Sequence, residues 1–322
     1  MIRLDPFSLG CTLAAVVMLC GITLSGYGKD GMNHKNQQVV RRTHGGGRWF
    51  PGDKAALSKA INEYVDAARV SPITGRIIGA ISPHAGYVYS GAIAGHVFRV
   101  IKEQAAQGEA PDTVVILGLC HQGGCRGVAL MDGDAVRSPL GETALDKDAA
   151  ALLISNRPSI FMDYAPHNGE HSAENQIPFI QSVLPRARLV VGLIGDHDPK
   201  TFNELVNGLI ELAKVKKILV IASSDLLHDP DYNRVTQTDQ ASLKNVAAMK
   251  THELLERWSY DNQIFCGMSA LVVTMRFVEK QGCREGIVLR YSNTGDDYPD
   301  SRGNWVVGYG AVVFPLPVPG AK

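Results

Sequence analysis

Apolar residues along this chain arrive in two alternating rhythms. Short apolar runs at Arg76–Ser82, Thr113–Leu119, Val128–Met131, Leu189–Ile194, Lys217–Ala222, Gly286–Tyr291 and Val306–Phe314 predict strands. Between them, apolar positions at helical spacing predict helices at Asp53–Arg69, Ala92–Lys102, Asp146–Ile154, Ala173–Leu184, Pro199–Lys214, Thr238–Met249 and Gly267–Glu279. Pro199 follows Asp198 at a helix start, and Phe202, Leu205, Val206, Leu209 and Ile210 form the stripe behind it. Alternating strands and helices predict one α/β domain, an α/β/α sandwich with a central mostly parallel or mixed sheet. No internal repeat or low-complexity tract interrupts it.

The pattern changes towards the N-terminus. Phe7–Ser25 is almost uninterrupted small and apolar residues, about long enough to span a bilayer. Gly26–Gly47 is polar and ends in three glycines, the composition of a linker. The chain therefore divides into a hydrophobic signal or anchor segment (1–26), a polar Gly-rich linker (27–48), the α/β/α domain (49–316) and a short tail (317–322). Lys29, Lys35, Arg41 and Arg42 outnumber Arg3, which favours an uncleaved anchor with a cytoplasmic body, while a cleaved, exported (periplasmic) protein fits as well. Either way the expected protein is membrane-anchored or exported, and touches the membrane only through residues 7–25.

Charge excludes more than it suggests. Lys and Arg number 32, and Asp and Glu number 32, so no basic face marks a nucleic-acid partner. No G-x-G-x-x-G, Walker loop or G-x-S-x-G elbow is present, so neither a nucleotide cofactor nor an α/β-hydrolase nucleophile is expected. Of six cysteines, Cys11 and Cys20 fall in the apolar N-terminal stretch. Cys120, Cys125, Cys266 and Cys283 form no C-x-x-C pair, which leaves metal chemistry and disulfides both open.

Candidate chemistry gathers at strand ends. The run before Pro83 delivers His84, Thr113–Leu119 delivers Cys120 and His121, and Lys217–Ala222 delivers Ser223, Ser224, Asp225 and then His228. The carboxyl edge of an α/β sheet is where such folds build their sites. A fourth group, His167 to Glu174, holds five side chains able to ligate a metal or move a proton, and also reads as a helix start capped by Ser172. Cys266 stands just before a helix, whose N-terminal field is expected to lower its pKa. Two imidazoles and a thiolate suit iron, copper or, less well, zinc, so His84, His121 and Cys266 are the candidate ligands. Asp225, His228 and His171 become candidate orienting or acid–base groups. His96, His197 and His252 read as structural, and Asp296, Asp297 and Asp300 as a solvated acidic turn.

SPHAGYVYSGAIAGHVF, VVILGLCHQGG, EHSAENQIPFIQ, ASSDLLHD and IFCGMSALVV resemble, in this order, the signature blocks of the Memo family, whose bacterial and archaeal members are called AmmeMemoRadiSam system protein B. The resemblance runs from about Trp49 to Phe314. It implies the fold of class III extradiol (LigB-like) non-haem iron dioxygenases. It also implies a metal held by His84, His121 and Cys266, with Asp225, His228 and His171 in the pocket. By association it implies a radical SAM protein and an AMMECR-domain protein as partners. The sequence departs from the family pattern at Gln122, where many members carry a second His, and at Cys120, which replaces a Ser. The expected function is a metal-dependent redox enzyme of the dioxygenase type acting on a small-molecule or peptide substrate. The alternatives are a (phospho)peptide-binding module, for which Arg126 and Arg137 are the nearest phosphate-binding candidates, and a zinc hydrolase.

Overall fold

The computed structural model describes residues 38–318. Twelve strands run in chain order: β1 Val40–Arg42, β2 Ile77–Ser82, β3 Thr113–Leu119, β4 Val128–Leu130, β5 Ala135–Ser138, β6 Gly141–Ala144, β7 Ile160–Met162, β8 Arg188–Ile194, β9 Ile218–Ser223, β10 His228–Asp229, β11 Ile287–Asn293 and β12 Val306–Pro315. The helices that matter here are α1 Lys54–Ala67, α2 Tyr87–Gln104, α3 Lys147–Ile154, α4 Ile177–Val183, α5 Pro199–Ala213, α6 Tyr232–Ala247, α7 Thr251–Arg257, α8 Met268–Lys280 and α9 Thr294–Asp297.

The main sheet is mixed, as the alternation predicts. Its centre, β2-β9-β3-β8, is parallel. β12 joins antiparallel to β2 and carries β10 and β11. β4 joins antiparallel to β8, and β7 lies beyond it. The parallel strands are buried on both faces, so their residues divide by parity between two cores. Val115, Leu117, Val220 and Ala222 face α3, α5, α6 and α8. Val114, Ile116, Leu219 and Ile221 face α1, α2 and α4. Their shared orientation sends the carboxyl ends of β2, β9 and β3 to one edge.

Several boundaries differ from the sequence reading. α2 begins at Tyr87 rather than near Ala92, because Gly91 is a packing position and not a turn position, and Gly95 packs in the same way one turn on. A Cβ at Gly91 would stand 2.5 Å from the Tyr64 ring, and one at Gly95 2.5 Å from the Tyr64 carbonyl oxygen. α6 starts at Tyr232, where Asp231 accepts from the amides of Asn233 and Arg234. The stretch read as one helix from Ala173 is a 3₁₀ turn, Glu174–Gln176, followed by α4.

Residues 38–48 are not linker. β1 pairs in parallel with β5 in a small second sheet, β1-β5-β6. The Val39 amide donates to Asp134, and Arg41 pairs with Asp132 and lies over Tyr164. These polar residues hold the strand through hydrogen bonds and ion pairs that hydropathy does not register. The placement expected from residues 7–25, membrane-anchored or exported, is withdrawn. No helix among the described residues is long and apolar enough to cross a membrane, and residues 7–25 themselves lie outside the described part.

Candidate metal centre

His84 sits in a turn held from three sides. Pro83 ends β2, and the amides of His84 and Ala85 donate to Asp225 Oδ1 at 2.8 and 3.2 Å. Asn175 donates to the His84 carbonyl at 2.6 Å, and Gln176 to the Pro83 carbonyl at 2.9 Å. The ring is 1% exposed. Its Nδ1 edge faces the Ser223 hydroxyl at 3.5 Å, while Nε2 is buried with no hydrogen-bond partner. A buried imidazole nitrogen without a partner needs an explanation, and a metal supplies one. Burial first, then neighbouring His121, lowers the His84 pKa to about 3, so the ring is neutral and able to ligate.

His121 follows β3 and is backed by a carboxylate. Glu170 accepts from the His121 amide at 2.8 Å and lies 2.8 Å from its Nδ1. It also accepts from the Ser172 amide at 2.7 Å. Burial opposes the Glu170 charge, but the His121 ring and these amides outweigh it and hold the carboxyl below its usual range. An ionised Glu170 makes Nδ1 the donor and leaves the Nε2 lone pair free. Ser172 does not cap a helix. It exchanges hydrogen bonds with the Leu119 amide and carbonyl, pinning Glu170 to the end of β3. Gly118 permits this, since a Cβ there would stand 2.5 Å from the Ser172 hydroxyl.

Cys266 is brought in from outside the sheet. Its amide donates to the Asp225 carbonyl at 3.1 Å, and the Gly267 amide donates to the Ser224 hydroxyl at 2.8 Å. A Cβ at Gly267 would be 2.6 Å from the Ser223 carbonyl oxygen, so the approach needs glycine. Cys266 Sγ lies 3.3 Å from His121 Nε2. One donor atom each from His84, His121 and Cys266 falls within 4.8 Å of the others. The thiol differs from expectation in one respect. Burial, with the Asp225 and Glu170 charges, raises its pKa rather than the helix field lowering it. A bound cation would displace that proton.

A cavity of about 670 Å³ opens beside this corner, lined by His84, His121, His171, Asp225 and His228 and by aromatic rings. His171 is sandwiched between Trp49, 3.8 Å and 4° away, and His121, 4.6 Å and 15° away. Burial first, and then His84 and His121, lower its pKa to about 3. His228 is also depressed by burial, against the pull of Asp225, and its Nε2 is buried without a partner. Asp225 makes its hydrogen bonds to the His84 turn, not to the His228 ring. Its own pKa is raised by burial.

The structure thus brings all six sequence candidates to one edge. It adds Glu170, whose place between His167 and His171 in the sequence was the available signal. Of that same cluster, His167 turns away and bonds the Ala129 carbonyl at 3.0 Å. His197 does have a partner, the Ser269 hydroxyl at 2.9 Å, and lines a second cavity behind Cys266. Cys120 lines that second cavity too, outside the three converging donors. Among the described residues Cys120, Cys125, Cys266 and Cys283 are free thiols.

A Memo-like protein profile matches residues 41–313. The chain is 31% identical to a MEMO1 family protein of Methanopyrus kandleri over 278 residues, 83% of this chain and 96% of that one. It is 29% identical to a MEMO1 family protein of Nitrosopumilus maritimus over 282 residues, 86% of this chain and 100% of that one. A MEMO1 family protein of Methanosarcina barkeri is 30% identical over 270 residues, 83% and 97% of the two chains. The chain belongs to the Memo-like family.

Proposed function

We propose that this Memo-like protein is a metal-dependent redox enzyme of the dioxygenase type, with iron or copper held by His84, His121 and Cys266. The convergence of those three donors beside a cavity of about 670 Å³ carries the reading. Two neutral imidazoles and one thiolate suit a redox-active ion, and the unpartnered His84 Nε2 fits a ligand position. When bound, such an ion supplies one-electron chemistry and an electrophilic centre for oxygen and substrate.

The protein's own groups do the rest. Glu170 fixes the His121 tautomer, and Asp225 fixes the turn that aims His84. His228, neutral in the cavity wall with a free Nε2, accepts a substrate proton. The radical SAM and AMMECR-domain partners implied by the resemblance belong to the same proposal, and copurification tests them.

Metal analysis of the full chain after anaerobic purification tests the reading. Near-stoichiometric iron or copper, lost in His84→Ala and Cys266→Ala, is the expected result. Stoichiometric zinc with oxygen-independent turnover would move the protein to the hydrolase class. The phosphopeptide alternative lacks its phosphate-binding groups, since neither Arg126 nor Arg137 lines the cavity and Arg137 pairs with Glu142.

A further inference from the structure

The mouth of the cavity is built unlike its floor. Val88, Tyr89, Tyr298 and Trp305 all line it, and they are 66%, 47%, 40% and 57% exposed. Exposed large apolar side chains are ordinary when scattered, whereas four around one opening mark a binding surface. Tyr89 and Tyr298 meet edge to face at 5.4 Å, and the Tyr298 hydroxyl donates to the Val88 carbonyl at 3.1 Å. Trp305 stands edge-on to His228 at 6.1 Å and 82°. Trp49 closes the remaining side against His171. Tyr89 and Tyr298 thus brace each other at one side of the opening, with Trp305 beside His228 at another.

The charge of the lining itself is one-sided. No Lys or Arg lines the cavity, and Asp225 is the one carboxylate that does. The segment that gives Thr294, Tyr298 and Ser301 to the mouth also carries Asp296, Asp297 and Asp300, all exposed. Of the nearby basic groups, Arg234 pairs with Asp229, Arg302 lies on the Tyr232 ring and donates to the Gly295 carbonyl, and exposed Arg48 stands on the Trp49 side, 5.2 Å from that ring's centre.

Aromatic faces attract cations through their quadrupole, and carboxylates around them add to the pull. We propose that the substrate of this cavity is a small molecule bearing an alkylated ammonium group, which the Tyr89–Tyr298–Trp305 collar and the 296–300 carboxylates hold at the mouth. The cavity volume is that of a small-molecule site. The inference rests on the functional reading above, because it names the substrate class of the same site.

The test is tryptophan fluorescence and calorimetry on the full chain, titrated with choline and, separately, with 3,3-dimethylbutan-1-ol, its uncharged carbon isostere. Saturable choline binding about tenfold tighter than the isostere is expected. Trp305→Ala should weaken choline roughly tenfold, as should the Asp297→Asn, Asp300→Asn double variant to a smaller degree, with metal content unchanged in both. Equal affinity for the two probes, or choline binding that survives Trp305→Ala, would overturn the proposal, as would no saturation by choline. Metal content is read in the same samples. Loss of the metal reading with a retained choline preference, or the reverse, shows which of the two inferences has failed.

Discussion

The turn after β2 and the loop after β3 each supply one histidine to the same corner, and they are held in opposite ways. His84 is 1% exposed, and its turn is tied by Asp225, Asn175 and Gln176 from two separate parts of the chain. His121 has a side chain 32% exposed and lies in a loop whose Gly123 and Gly124 are left-handed, with open space where a Cβ would stand. Its ring is oriented by the Glu170 carboxylate, which also accepts from its amide. One histidine is thus positioned by the buried frame of the fold, and the other by a carboxylate beside a left-handed backbone that glycine makes accessible. The difference teaches that the frame of the fold and the aim of a histidine can be perturbed separately at this site.

Substitutions on either side should expose that separation. Asp225→Ala leaves the His84 and Ala85 amides without an acceptor and should lower stability by about 2 to 5 kcal/mol in denaturant titration. Glu170→Gln should leave the denaturation midpoint nearly unmoved while weakening metal binding about tenfold to a hundredfold, read by chelator competition. If both variants lose stability and metal in proportion, the separation does not exist.

The pH dependence sharpens the frame side of the comparison. Asp239 is buried and accepts from the Leu227 amide at 3.1 Å and the Tyr291 hydroxyl at 3.0 Å, so it braces the segment between Asp225 and His228. Burial raises its pKa to about 7 against these bonds. The folded state then holds a proton that the unfolded chain releases near pH 4, so stability falls as pH rises from about 4 to 7 and levels off above that. Asp239→Asn should flatten that decline in melting temperature across this window. An unchanged slope would remove Asp239 from the frame. On the other side, Gly123→Ala forces a left-handed alanine at a cost of about 1 kcal/mol, the smallest effect expected, with metal binding retained.

The sequence was readable where a residue's neighbours in the chain determine its place. Strand runs ending in Pro83, in Cys120 and His121, and in Ser223 to Asp225 fixed the edge at which the site would appear. Their parity between two cores follows from burial on both faces. What stayed hidden depends on distant contacts. Glu170 looks like any acidic residue before a helix until Ser172 pins it to the end of β3. Gly91 looks like a turn residue until Tyr64 packs against it. The Cys266 thiol illustrates competing local and tertiary effects: the helix start predicted a lowered pKa, and burial reverses it. The acidic turn at Asp296 gave no hint that it rims the cavity, because only the fold brings it beside Tyr89.

The claim on which the rest depends is that His84, His121 and Cys266 together hold one metal ion. Titration of the metal-free full chain with cobalt(II), followed by near-ultraviolet absorption, reads a thiolate–metal bond directly. The account predicts a charge-transfer band that saturates at one equivalent, disappears in Cys266→Ser and in His84→Ala, and persists in Cys120→Ser. No band in the folded wild-type protein, or a band that survives Cys266→Ser and vanishes with Cys120→Ser, would contradict it.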